Sequence, residues 1–96
     1  MITMEEIKKK TIPLKKKYKA DAVYLFGSYA RGEATEDSDL DFLVCGGIEF
    51  IPVTIFDMGA DLREAFNRSV DIYELRELNE GSEFYNNVMS ERVQIA

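Results

Sequence analysis

Two aspartates spaced as Asp39-x-Asp41, ten residues after a Gly27-Ser28 pair, are the residues of this chain whose types and spacing can do chemistry. Alternate residues of a strand point to one side. Asp39 and Asp41, at the opening of the β-prone run Leu40 to Cys45, therefore share a face, while Leu40 and Phe42 turn into the core. Two adjacent carboxylates repel each other and stay ionised at low cost only with a cation between them. Gly27-Ser28 sits where a strand meets a short helix, and offers an approachable backbone and a hydroxyl beside the positive helix end, a combination that holds phosphate. Paired carboxylates beside a phosphate cradle describe a magnesium-nucleotide site. Two-metal phosphoryl transfer wants a third acid to ligate the metal and attract the proton of the attacking hydroxyl. Asp71, within the strand-like Ser69-Val70-Asp71-Ile72-Tyr73, is the leading candidate. Asp57 suits a capping box and Asp61 the exposed side of an amphipathic helix, so both compete less well. Arg31 either reaches a phosphate or pairs with an acid such as Glu33, and Tyr29 reads as a packing or surface residue.

The elements that must position these groups follow from periodicity. Ile7, Thr11, Leu14 and Tyr18 mark one face of a helix from about Thr3 to Tyr18, which Pro13 is expected to kink or divide. Ala22 to Phe26 is a strand closed by Gly27, after which Ser28 is expected to cap a short helix through Arg31 before a polar loop, Gly32 to Ser38. A second strand, Leu40 to Cys45, ends at Gly46-Gly47. Thr54-x-x-Asp57 resembles a capping box for a helix to about Asn67 with Ile55, Met58, Leu62 and Phe66 inward. Ser69 to Leu75 is a third strand. A last helix, about Ser82 to Ser90, stripes Phe84, Tyr85, Val88 and Met89, and Val93 and Ile95 alternate as a short strand or tail. For Gly27 and Asp39 to face the same phosphates, the first two strands should be antiparallel neighbours. The expected fold is α+β, a small mixed sheet with flanking helices in the order αβαβαβα.

Composition narrows the chemistry further. Ninety-six residues make one domain, 1–96, with 46% hydrophobic and 31% charged residues, ordinary soluble usage. There is no histidine, so no Ser-His-Asp or Cys-His relay and no His-ligated zinc. The single cysteine, Cys45, cannot form an internal disulfide and is expected to be a buried core residue in a reducing compartment. No apolar run approaches the roughly 18 residues of a membrane span, and charges at Glu5, Glu6 and Lys8 to Lys10 stand where a signal peptide would be apolar. A cytoplasmic protein with no membrane partner is expected. The net charge is −6, split between seven Lys against two Glu in residues 1–19 and five Arg against sixteen acids in the rest. The acidic body disfavours nucleic acid as a partner. The lysines from Lys8 to Lys19 read as a solvated face, or a surface for an acidic partner.

Leu25-Phe26-Gly27-Ser28-Tyr29-Ala30-Arg31-Gly32 with Ser38-Asp39-Leu40-Asp41 resembles the signature of the DNA polymerase beta-like nucleotidyltransferase superfamily, in particular its minimal nucleotidyltransferase (MNT) branch. Gly-Ser, ten residues, then Asp-x-Asp arises by chance in about one chain per thousand. The resemblance covers most of the chain. It implies that Ser28 holds the triphosphate of ATP, and that Asp39, Asp41 and Asp71 bind Mg²⁺, two ions in all, and carry catalysis; Gly27 and Arg31 are the further nucleotide-binding candidates beside them. Pro13 also stands where many members have a proline before the first strand. Members of this branch pair with all-helical HEPN proteins as antitoxin and toxin, and some transfer AMP from ATP onto a tyrosine of that partner. The implied function is that of an adenylyltransferase acting as the antitoxin of a type VII-like pair. Ninety-six residues leave no room for an acceptor domain, so a partner chain is expected to supply the hydroxyl. Two other readings stand beside it. The chain could neutralise a partner by occlusion alone, or modify a small cationic molecule such as an aminoglycoside, which would require the dimeric cleft of a homo-oligomer.

Overall fold

The computed structural model describes residues 1–96 and arranges them as helix α1 (Met4–Tyr18), strand β1 (Ala22–Phe26), helix α2 (Gly27–Arg31), strand β2 (Leu40–Cys45), helix α3 (Ile55–Phe66), strand β3 (Val70–Glu74), helix α4 (Glu83–Glu91) and strand β4 (Val93–Gln94), with 3-10 turns at Pro52–Thr54 and Leu75–Glu77. The order αβαβαβα with a short terminal strand is the expected one. The four strands form one sheet in the order β3-β2-β1-β4. β1 runs antiparallel to β2 and to β4, and β2 runs parallel to β3, so the sheet is mixed. This is the α+β arrangement, a small mixed sheet with flanking helices, that the strand and helix signals predicted.

Strand alternation separates two apolar layers. Val23 and Leu25 of β1, Leu40, Phe42 and Val44 of β2 and Val70 of β3 face α1 and α3, where they bury Ile7, Met58, Leu62 and Phe66. The opposite face is thinner: Phe26 and Leu43 meet Val88 of α4, with Tyr24, Tyr73 and Met89 packed beside them. Because the parity of β2 puts Leu40 and Phe42 on the first face, Asp41 falls on the second, the face that α4 covers only in part.

Three local expectations are corrected. Pro13 does not divide α1, which runs unbroken for 15 residues. Ile7 and Thr11 before the proline and Leu14 and Tyr18 after it all pack on the main core, so packing holds both halves in line against the one lost backbone bond. Thr54 does not form a capping box: it has helical φ and ψ of −70° and −5° and makes no side-chain cap. Its hydroxyl donates to the Ile51 carbonyl at 2.6 Å instead, because the 3-10 turn from Pro52 already leads the chain into α3. Ser28 does not cap α2 either. The preceding Phe26 takes the N-cap position and offers no side-chain cap, which leaves Ser28 inside the first turn with its hydroxyl uncommitted to the helix end.

Cys45 is only partly buried at the far end of β2, where burial pushes its thiol pKa up. It is less enclosed than expected because Gly46-Gly47 ends the strand immediately after it. Asp61, expected on the exposed side of α3, instead ties α3 to α1 by accepting from Lys17 Nζ at 2.8 Å and from the Tyr18 hydroxyl. The Lys17 ammonium, followed by the Tyr18 hydroxyl, holds its pKa below the usual carboxylate value. No helix is long and apolar enough to cross a membrane.

Candidate active site

All six residues singled out in the sequence, Gly27, Ser28, Arg31, Asp39, Asp41 and Asp71, line one cleft of about 540 Å³ at the end of the sheet. The strand directions account for this. β1 arrives with its C-terminal end, where Phe26 pairs with Asp41 in the antiparallel register, and β2 and β3 both depart from the same edge. The parallel register then sets Asp41 directly against Asp71, and equal parity puts both side chains on the α4 face.

Gly27 is required here for two independent reasons. Its φ of +75° lies in the region that L side chains rarely adopt, and a Cβ built there would sit 2.1 Å from Asp41 Oδ2. Absence of a side chain is what lets the β1–α2 turn lie against the Asp41 carboxylate. The loop that delivers Asp39 is pinned from below. Arg68 donates to the Ser38 carbonyl at 3.3 Å and to the hydroxyl of Tyr29, which is buried as a packing residue. The Ser38 hydroxyl in turn accepts from the Thr35 amide at 2.8 Å.

The electrostatics of the cleft are those of an acidic cluster that Arg31 offsets only in part. The Asp41 pKa is raised to about 6, first by burial and then by hydrogen bonding to Asp71, with the charges of Asp71 and Asp39 adding and that of Arg31 opposing. Asp39 and Asp71 are themselves exposed. No three acids close on a common point as a finished metal cage. That suits magnesium, which is ordinarily bound through one or two carboxylates with substrate phosphates and water completing its shell. Hard oxygen donors and a carboxylate pushed towards protonation by burial and by its acidic neighbours fit such a cation.

Arg31 lines the cleft and pairs both with Glu33, at 3.2 Å, and with Glu91, at 3.1 Å. Sequence reasoning missed the contribution of α4, which brings Phe84, Asn87 and Glu91 to the cleft wall, and that of Tyr73 beside it. Phe84 belongs to the periodic stripe of α4, yet it stands 45% exposed against Tyr73 and Phe26, with ring centroids 5.4 and 6.0 Å away. Glu91 did carry a signal: it is an acid in the last turn of a helix, where the dipole favours bases.

The architecture is that of the nucleotidyltransferases. A solved structure named as a candidate minimal nucleotidyltransferase superposes with a TM-score of 0.77 at 29% identity, covering 96% of this chain and 95% of that one. A solved toxin-antitoxin complex with AMP-PNP contains a chain that matches with a TM-score of 0.77 at 25% identity, covering 93% of this chain and 72% of that one. The chain belongs to the family described as "Polymerase beta, Nucleotidyltransferase", which matches residues 5–96.

Relatives in Methanocaldococcus jannaschii are named as candidate protein adenylyltransferases. One is 54% identical over 48 residues, 46% of this chain and 48% of its own length. Another is 35% identical over 71 residues, 74% of this chain and 76% of its own. The chain thus spans about half the length of the first of these relatives.

Proposed function

We propose that this protein is a Mg²⁺-dependent adenylyltransferase that moves AMP from ATP onto a protein hydroxyl, a tyrosine of a HEPN-type toxin, and so acts as an antitoxin. The observation that carries the reading is the packing of the Gly27 backbone against the Asp41 carboxylate, itself in register with Asp71. It brings a phosphate-compatible turn and paired acids to one cleft, whose size suits a nucleotide. The candidate adenylyltransferase relatives and the AMP-PNP-containing toxin-antitoxin complex support the reaction and the partner.

In this reading Gly27, Ser28 and Arg31 hold the triphosphate tail, and Asp39, Asp41 and Asp71 hold two magnesium ions. The metal, when bound, supplies charge neutralisation at the phosphates and polarises the reacting phosphoryl group. Asp71, exposed at the cleft mouth, faces an incoming acceptor and attracts its hydroxyl proton. The acceptor oxygen bonds to the α-phosphorus in line, the bond to the bridging oxygen breaks, and pyrophosphate leaves. The protein contributes chiefly position: the register of β2 with β3 fixes the acids, and Arg68 fixes the Ser38 carbonyl beside Asp39.

The test is pyrophosphate release from ATP and Mg²⁺ in the presence of a co-expressed helical partner. Release that depends on the partner and disappears in Asp39→Asn/Asp41→Asn is expected. A stable complex without release would instead indicate occlusion, and release driven by an aminoglycoside would indicate a small-molecule acceptor.

A further inference from the structure

Glu91, the last residue of α4, puts a carboxylate inside the cleft. Its Oε1 accepts from the Gly27 amide at 2.9 Å, and its two oxygens lie 3.2 and 3.1 Å from Arg31 Nη1. Its side chain is only 22% exposed. The two groups that grip it are two of those the proposed function gives to the triphosphate, and a carboxylate bridging a backbone amide and a guanidinium uses the same donors as a phosphate oxygen.

Nothing in α4 itself favours an acid there. The C-terminal end of a helix repels negative charge, and the last turn of α4 contains no base to offset it. The Gly27 amide and Arg31 are therefore what hold Glu91, and its hydrogen bond is the foremost cause of the raised Arg31 pKa. On the other side of Arg31, Glu33 is exposed and lies outside the cleft lining.

We propose that Glu91 is an internal occupant of the polyphosphate cradle, a carboxylate that a nucleotide's triphosphate tail must displace before Gly27 and Arg31 can bind it. The inference rests on the proposed reading of this cleft as a nucleotide site. It makes α4 a determinant of ligand selectivity. A lone carboxylate or a monophosphate competes poorly against an acid already in place, whereas a triphosphate brings more charge and more oxygens. Displacement also frees the Glu91 side chain to swing away from the cleft while α4 stays anchored through Val88, which is buried.

The test is calorimetric titration of the intact chain, in the presence of Mg²⁺, with inorganic tripolyphosphate, which has no base and no transferable adenylyl group, and with ATP. The proteins are wild type, Glu91→Gln, Glu91→Ala and, as a control on the outer partner of Arg31, Glu33→Gln. Affinity for tripolyphosphate should tighten about 5-fold in Glu91→Gln and about 10-fold in Glu91→Ala, with Glu33→Gln within about twofold of wild type. The Gly27 amide resonance of the free protein should move in Glu91→Gln, which preserves the shape of the side chain and checks that the fold is intact. Wild type that binds while both Glu91 variants bind equally or more weakly would overturn the inference and leave the cradle standing. Failure of every protein to bind tripolyphosphate or ATP would remove the cradle, and the inference with it.

Discussion

Asp41 concentrates the conflict between stability and chemistry in one residue. Its folded-state pKa of about 6 exceeds the ordinary 3.8 because it is partly buried beside Asp71 and Asp39. The sign follows from linkage: an acid whose pKa is raised on folding binds more protons in the folded state between about pH 4 and 6. Its contribution to stability is therefore most favourable below that window and is lost as pH rises through it. The melting temperature of the metal-free protein should carry a component that falls from pH 4 to pH 7, and Asp41→Asn should remove that component, melt higher at pH 7 and lose adenylyl transfer. A melting curve that drops on substitution at pH 7 would contradict this. Mg²⁺ should raise the wild-type melting temperature at pH 7 and lose that effect towards pH 5, as Asp41 protonates. Gly27→Ala should cost about 2–4 kcal/mol, since it adds a strained positive φ to a clash with the Asp41 carboxylate. Chemical denaturation measures it, and a loss below about 1 kcal/mol would show that the β1–α2 turn relaxes freely.

Among the elements, β1 and β2 were legible to the residue, because compact apolar runs bounded by Gly27 and by Gly46-Gly47 leave little freedom in where a strand ends. The antiparallel pairing was legible for a chemical reason, since Gly27 and Asp39 could meet only at one sheet edge. The caps were less so. Ser28 and Thr54 have cap-favouring side chains, but a strand running directly into α2 and a 3-10 turn running into α3 took over the helix starts. α4 misled most, because its periodic stripe says which residues can face inward but not that the sheet beneath is only half covered. Phe84 shares the stripe with the buried Val88, yet it walls the cleft. Val88 is the buried residue that seats α4 on Phe26 and Leu43. Val88→Ala should cost about 2 kcal/mol and speed hydrogen exchange in α4 before the rest of the chain. Uniform acceleration across all elements would instead mean that α4 unfolds only with the whole.

The whole molecule divides its labour by sheet face. α1 and α3 cover one face with the larger apolar core, and the other face leaves room at one end for a cleft lined by Asp39, Asp41 and Asp71. Asp39 and Asp71 are open to solvent, so the acceptor in this account arrives from outside on another molecule. Charge follows a different division, along the sequence, with a basic first helix region and an acidic remainder that contains the proposed metal ligands. The measurement that bears most directly on the central claim is intact mass spectrometry of a co-expressed HEPN-type partner after incubation with this protein, ATP and Mg²⁺, with Asp39→Asn/Asp41→Asn as control. Adenylyl transfer to the partner requires that it gain one or more AMP units, mapped to a tyrosine, and that the double variant add none. An unmodified partner in a stable complex with the wild-type protein would contradict it.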